Sequence, residues 1–295
     1  MNQKKVTAKD IAREAGVSVA TVSYVMNGRT DQKISDDTKK KILQIANLLN
    51  YVPSHAAKSL ATGKNNTIGI CYLLTGVPTA DASLLSFANL LIERLERMKY
   101  DVAIIPAKKV EDGLPINRNV DAIIAICLDH ADFRLLADNY LVPVICVDMI
   151  VNDSLFYQIY EDVPYLIEKA LVELPDGNET YFIYDSLGND EFEEFMLNLP
   201  STIKPLRHRD LSSAMLNSLK DKHIIAMGAF LGLSLISYID KSKACFIVSE
   251  GDKSLIPDNI PVVLDNTQKK ANMTINILLN ALDRNFEMTH DHKIR

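Results

Sequence analysis

The sequence predicts two folds in one chain: a small all-α head containing a helix-turn-helix, and a larger α/β body with parallel sheets. Three observations carry this. Up to Asn50, apolar residues recur at helical spacing and are punctuated by capping residues. From Thr67 onward, short β-rich runs alternate with helical patterns. The charge divides between the same two regions: residues 1–64 hold 11 Lys/Arg against 5 Asp/Glu, and the remainder holds 21 against 33. A net charge of -6 spread evenly would argue against a nucleic-acid partner; here it joins a basic head to an acidic body. At 295 residues, 47% hydrophobic and 24% charged, the chain has globular composition, which excludes a disordered, collagen-like or coiled-coil protein.

The head reads as three short helices. Thr7 precedes Ala8-Lys9-Asp10, an N-cap with an acid in the first turn. Ile11, Ala12 and Ala15 form one apolar face, and Gly16 suits a left-handed C-cap. Ser18 caps the next helix, where Val22 and Val25 repeat up to Asn27-Gly28. The third helix starts at Ser35-Asp36-Asp37 and runs to Asn50, with Ile42, Ile45, Ala46 and Leu49 inward. A helix, a tight glycine turn and a second helix make a helix-turn-helix. With Val17, Val22 and Val25 packed inward, Val19, Ala20, Ser23 and Tyr24 are left on the outer side, facing base edges in a major groove. Thr7, Ser18, Thr21 and Asn27 are placed to reach phosphates, which set register rather than sequence.

Residues 51–65 belong to neither region. Pro53 breaks the preceding helix, and Ser54 caps a helix ending at Gly63 that is too short to stand alone. The body, 66–295, carries candidate strands at Ile68–Leu74, Asp101–Pro106, Ala122–Leu128, Val142–Asp148, Tyr181–Tyr184, Ile224–Met227, Cys245–Ser249 and Val262–Leu264. Helical stretches lie between them at Leu84–Met98, Val163–Leu174, Glu191–Leu197, Ser213–Leu219, Leu231–Ile239 and Lys269–Leu282. Two such sheets side by side fit the length.

Cys71, Cys127, Cys146 and Cys245 are widely spaced in apolar runs and read as buried thiols. The N-terminus lacks an apolar h-region, and the longest apolar stretch, near Ile224 to Ile236, is too short to span a bilayer, so a cytoplasmic protein is expected. No phosphate loop, G-x-S-x-G elbow or H-E-x-x-H is present, and neither catalysis, a cofactor nor a metal is expected. Gly228 and Gly232 read as close helix-strand packing. His290 and His292 read as part of a polar tail, His208 as exposed and His223 as a cap.

The run from Val6 through Gly28, VTAKDIAREAGVSVATVSYVMNG, resembles the N-terminus of the LacI/GalR family of bacterial transcription regulators. So does Asn50-Tyr51-Val52-Pro53, continued by Ala57-Lys58-Ser59-Leu60-Ala61-Thr62-Gly63. The resemblance implies a dimer on a pseudo-palindromic double-stranded operator. It makes 1–50 the DNA-binding domain, 51–65 a hinge that becomes helical on DNA, and 66–295 a periplasmic-binding-protein-like body of two lobes with an effector between them. It places His55, Ala57 and Lys58 of the hinge at the minor groove, with Leu60 as the wedge that kinks the centre. Val19 and Ala20 match the base-reading positions. Tyr24 stands where an arginine is common; it can offer a hydroxyl or a ring but no bidentate pair to guanine.

In open α/β sheets ligands sit beyond the carboxyl ends of strands. Those ends carry Tyr72, Thr75, Asp129, Asp148, Tyr184, Asp185, Ser186, Glu250 and Asp265. The effector set drawn from them is Tyr72, Thr75, Asp148, Asp185 and Glu250, with Asp148 matching a family ligand position. Sugar-binding relatives carry an arginine early in the helix after Tyr181–Asp185 and an Asn-Asp pair after Met227. Here that helix reads Asn189-Asp190-Glu191-Phe192-Glu193-Glu194-Phe195, and Gly228-Ala229 follows the strand. The effector's identity stays open, as does a body that answers to a protein partner instead. An α/β enzyme with an appended head is the third reading.

Overall fold

The computed structural model describes residues 6–26, 32–49, 51, 65–107, 119–175, 179–186, 188–285 and 289–295. Asn27 and the hinge residues His55, Ala57, Lys58 and Leu60 lie outside them. The chain divides into two compact units, Met1–Asn65 and Asn66–Arg295.

The first unit contains α1 (Ala8–Ala15), α2 (Val19–Met26) and α3 (Asp36–Leu48). The Thr7 amide and hydroxyl both donate to the Asp10 carboxylate, at 3.0 and 2.7 Å. Gly16 closes α1 at φ +71°, and the Val17 amide returns to the Ala12 carbonyl at 3.0 Å. A left-handed residue at this C-cap is what a glycine supplies without strain. Ser18 and Ser35 cap α2 and α3 through the amides of Thr21 and Thr38. Ile11, Val22 and Ile42 meet at the centre, fully buried, with Ala12, Ala15 and Ala46 letting the helices approach. Each such aliphatic side chain contributes about 1.5–3 kcal/mol by leaving water.

The second unit holds two parallel sheets. Lobe 1 is built on β1 (Thr67–Tyr72), β2 (Asp101–Pro106), β3 (Ala122–Ile126), β4 (Val144–Val147), β5 (Tyr157–Glu161) and β11 (Asp291–Ile294), in the order β11-β5-β4-β3-β1-β2. Lobe 2 is built on β6 (Thr180–Tyr184), β7 (Ile203–Arg207), β8 (His223–Met227), β9 (Ala244–Val248) and β10 (Val262–Leu264), in the order β10-β9-β8-β6-β7. The helices are α4 (Pro78–Arg97), α5 (His130–Asn139), α6 (Val163–Val172), α7 (Asp190–Met196), α8 (Ser213–Ser218), α9 (Ala229–Leu235) and α10 (Thr267–Leu282). Central strands β3, β4 and β9 are buried along their whole length, as a sheet covered on both faces requires.

The chain crosses between lobes twice. It leaves β5 at Glu161 and enters α6, which packs on β9 and β10 of lobe 2. It leaves β10 and enters α10, which packs on β4, β5 and α4 of lobe 1. Glu161 and Asn266 meet where the two crossings run side by side: the Asn266 side-chain amide donates to Glu161 Oε1 at 2.7 Å and its backbone amide at 3.3 Å.

Three strands and one helix go beyond the sequence reading. β5 carries Gln158 and Glu161, which break an apolar run, yet both are buried; Gln158 Oε1 accepts from the Val151 amide at 2.8 Å. β7 is an edge strand and tolerates Pro205 there. β11 is polar and also an edge, and it places His292 beside Ile159 in a ladder rather than in a tail. α5 is capped by Asp129, whose carboxylate accepts from the Asp132 amide. His223 does not cap a helix; it opens β8, buried and in register with Thr180. His208 is not fully exposed: its Nδ1 lies 3.2 Å from Asp185 Oδ1. Cys71, Cys146 and Cys245 are buried, and burial pushes the Cys71 and Cys245 thiols up to about 12.

Candidate functional sites: a reading face in the head and a cleft in the body

On α2, Ser18, Val19, Ala20 and Ser23 are exposed, and Thr21 and Tyr24 are half-buried. Val22 points the other way, into the core. The outer face of the helix therefore presents small side chains, one tyrosine and a pair of hydroxyls. Ser18 Oγ and Thr21 Oγ1 are 2.8 Å apart, and this bond uses one of their two hydroxyl hydrogens. Thr7 is exposed, but its amide and hydroxyl both serve Asp10, so a phosphate has to compete with that carboxylate for them.

In the body, a cavity of about 150 Å³ opens between the lobes. Its wall is made from the residue immediately after each of six strands: Cys127, Asp148, Asp185, Gly228, Ser249 and Asp265 follow β3, β4, β6, β8, β9 and β10. The carboxyl ends of both sheets thus converge on one space, where a ligand binds in open α/β folds. Phe87 and Leu84 of α4, Phe192 of α7, and Met227 and Ile247 supply apolar wall.

Lys270, from the first turns of α10, is the one lysine on this wall. Its Nζ sits 2.5 Å from Asp148 Oδ2 and 4.8 Å from the centre of the Phe87 ring. Burial alone lowers the pKa of an ammonium; Asp148 and Glu161 outweigh it and hold Lys270 above its ordinary value. Burial pushes the Glu161 carboxyl up, and Lys270 and Asn266 draw it back only in part. Asp148 Oδ1 and Glu161 Oε2 are both buried without a hydrogen-bond partner among the described residues. Cys127 and Asp148 hold φ of +53° and +48°, a conformation that costs a non-glycine residue about 1 kcal/mol or more. Gly228 has φ +109°, which no Asn or Asp adopts without strain.

Three contacts close the lobes on each other. Asn189, the N-cap of α7, sends Nδ2 to the Leu128 carbonyl at 3.2 Å and receives the Ile150 amide at 3.0 Å, both on lobe 1. On the other rim, Thr79 of α4 approaches His208 Nδ1 at 3.5 Å.

Of the effector residues drawn from sequence, Asp148 and Asp185 line the cavity, and Tyr72, Thr75 and Glu250 do not. Tyr72 packs on the lobe 1 core, Thr75 turns to Asp81 with its hydroxyl at 2.8 Å, and Glu250 is exposed at the start of a 3₁₀ turn. Tyr184 and Asp265 also line the cavity; Ser186 donates to Glu193, and Asp129 caps α5. Glu161, Asp252, Lys270 and Phe192 line it and were missed. Lys270 had a readable signal, because it falls four residues before Thr274 and eight before Leu278 on the buried face of α10. The arginine absent from α7 has a partial counterpart: Arg207 of β7 pairs with Glu193 at 2.5 Å, away from the cavity.

Residues 7–54 match the family model described as bacterial regulatory proteins, lacI family. The match falls within the first unit and does not extend into the body. The ribose operon repressor of Haemophilus influenzae is 31% identical over 184 residues, covering 57% of this chain and 51% of that protein. The HTH-type transcriptional regulator RegA of Clostridium saccharobutylicum is 52% identical over 62 residues, 21% of this chain and 18% of that protein. The chain thus spans about half or less of the length of the curated relatives it matches. In fold it is similar to a lac repressor dimer bound to operator and the anti-inducer ONPF, with a TM-score of 0.68 at 14% identity over 99% of this chain and 96% of that one.

Proposed function

We propose that this chain is a DNA-binding transcriptional repressor that acts as a homodimer on a pseudo-palindromic operator and answers to a small-molecule effector in the inter-lobe cleft. The observation that carries the reading is the pairing, in one chain, of a head that the lacI-family model matches, with its exposed α2 face, and a two-lobed body whose six strand ends converge on a cavity. In this reading Val19, Ala20, Ser23 and Tyr24 read base edges, and Thr7, Ser18, Thr21 and Asn27 hold phosphates. His55, Ala57, Lys58 and Leu60 form the hinge, with paired Leu60 side chains wedging the operator centre. The effector shifts the balance between open and closed lobes, and DNA affinity follows by the same coupling free energy.

The test is selection of duplexes from a random pool by the full chain, followed by anisotropy titrations at two salt concentrations. A pseudo-palindrome should emerge. Affinity should fall steeply with salt, roughly a thousandfold between 50 and 200 mM if about six or more phosphates are held. Leu60→Ala should reduce bending and affinity, and Tyr24→Ala should change base preference while sparing nonspecific binding. No enriched sequence, or an unchanged preference in every α2 variant, would overturn the reading.

A further inference from the structure

The cavity wall carries five carboxylates, Asp148, Glu161, Asp185, Asp252 and Asp265, against the single ammonium of Lys270. Asp185 faces His208, Asp252 accepts from the Ser249 hydroxyl at 2.8 Å, and Asp265 accepts from the Thr267 amide at 2.9 Å. Asp148, Glu161 and Asp265 all face the one ammonium of Lys270, so the buried charge is not balanced from within. An independent observation points the same way. Glu161 is only 2% exposed, lines the cavity, and among the described residues leaves Oε2 without a partner while Asn266 occupies Oε1. Asp148 Oδ1 is stranded beside it in the same wall. A buried carboxylate oxygen with no donor is costly, and a ligand that brings charged donors recovers that cost.

The chemistry of the missing donor is narrow. An anion is repelled by the surplus of carboxylates. A neutral polyol can donate to them but leaves the charge uncompensated. Among the described residues no set of three acidic, histidine or cysteine groups converges to hold a metal ion. Phe87, Phe192, Met227 and Ile247 give the wall a hydrocarbon side, next to hydroxyls such as those of Ser83 and Ser86. A cavity of about 150 Å³ suits a body near the size of one small ring.

Building on the effector-controlled repressor proposed above, we infer that the effector is a small organic cation, an amine. Its N–H groups satisfy Glu161 Oε2 and Asp148 Oδ1, and its hydrocarbon part lies against Phe87 and Phe192. Lys270 holds Asp148 in place and neutralises only one of the carboxylates that face it.

The experiment titrates the full chain with benzylamine, isoamylamine, piperidine and 1,4-diaminobutane, beside benzyl alcohol, isoamyl alcohol, 1,4-butanediol, ribose, sucrose and magnesium chloride. Calorimetry reads binding and operator anisotropy reads the response. At least one amine should bind at least ten times more tightly than its alcohol and shift operator affinity. Glu161→Gln and Asp148→Asn should each weaken that amine at least tenfold. Both are near-isosteric, and asparagine tolerates the left-handed backbone at position 148, so circular dichroism should show an unchanged fold. Equal binding of amine and alcohol, binding of none of the amines, or variants that bind as well as the parent would each overturn the assignment. Ribose, sucrose or magnesium acting on operator affinity while no amine binds would overturn the amine and leave the effector-controlled repressor standing. Operator binding that no compound of a broad metabolite collection alters would remove the effector as well.

Discussion

Replacing Asn189 with alanine should loosen the body at the seam between its lobes. Asn189 is 1% exposed and makes three hydrogen bonds. Oδ1 accepts from the Phe192 amide at 2.8 Å and the Ile150 amide at 3.0 Å, and Nδ2 donates to the Leu128 carbonyl at 3.2 Å. The first is the N-cap of α7, whose loss costs about 1 kcal/mol. Each of the other two leaves a backbone group of lobe 1 without its partner, at about 1–3 kcal/mol. Ile150 is half-buried and can recruit water, so the low end applies and the sum is about 3 kcal/mol. For a body of this size that corresponds to a fall in Tm of roughly 6–12 °C. Asn189→Ser keeps a side-chain oxygen for the Phe192 amide and gives up only the two seam bonds, so it should lose about 1 kcal/mol less. Scanning calorimetry of the three proteins measures this ranking. Small-angle scattering should show a larger radius of gyration for the alanine variant, because the seam bonds exist only with the lobes together. A fall in Tm below 2 °C, or a serine variant as unstable as the alanine one, would refute the reasoning.

Acid should weaken lobe 2 through Glu193. Burial alone would raise this carboxyl, but bonds from Tyr184, Ser186 and Arg207 together hold it below its ordinary value of 4.5. A lowered folded pKa gives stability that is present above 4.5 and lost as pH falls through the folded value, so Glu193→Gln should flatten the acid limb of a Tm-versus-pH profile; an unchanged limb would count against the pairing. Gly232→Ala should destabilise lobe 2 by about 1–3 kcal/mol through overpacking, because its Cβ would lie 2.5 Å from the buried Phe246 ring. Gly251→Ala, with only Ser249 Oγ at 3.9 Å, is the control and should be near neutral in urea unfolding.

Legibility followed the range of the physics involved. The head was readable almost residue by residue, since Thr7, Gly16, Ser18 and Ser35 act on amides and carbonyls within five positions of themselves. In the body, strands of continuous apolar residues were readable and three with polar residues were not. Gln158 breaks the pattern of β5 because its buried oxygen serves Val151, a need created by a loop seven residues away. β7 and β11 lie at sheet edges, where solvent relaxes the demand for apolar side chains.

The cleft divides in the same way. Asp148 and Asp185 could be read because each follows a strand directly, and the strand-end rule needs only local boundaries. Tyr72, Thr75 and Glu250 meet the same rule loosely and fall outside, because a one-residue change at a strand end turns a side chain to the other face. Glu161 and Lys270 are more than a hundred residues apart in sequence, and only the two crossings between lobes bring them to one wall.

Residue order alone thus specified the helix-turn-helix head, the acidic body and the alternation that makes two parallel sheets, because caps, periods and charge act over a few residues. Tertiary structure decided which carboxylates share a buried space, which of them Lys270 neutralises, and that Glu161 Oε2 and Asp148 Oδ1 find no donor there among the described residues. Burial and charge balance are sums over everything that surrounds a group, and those surroundings come from distant parts of the chain.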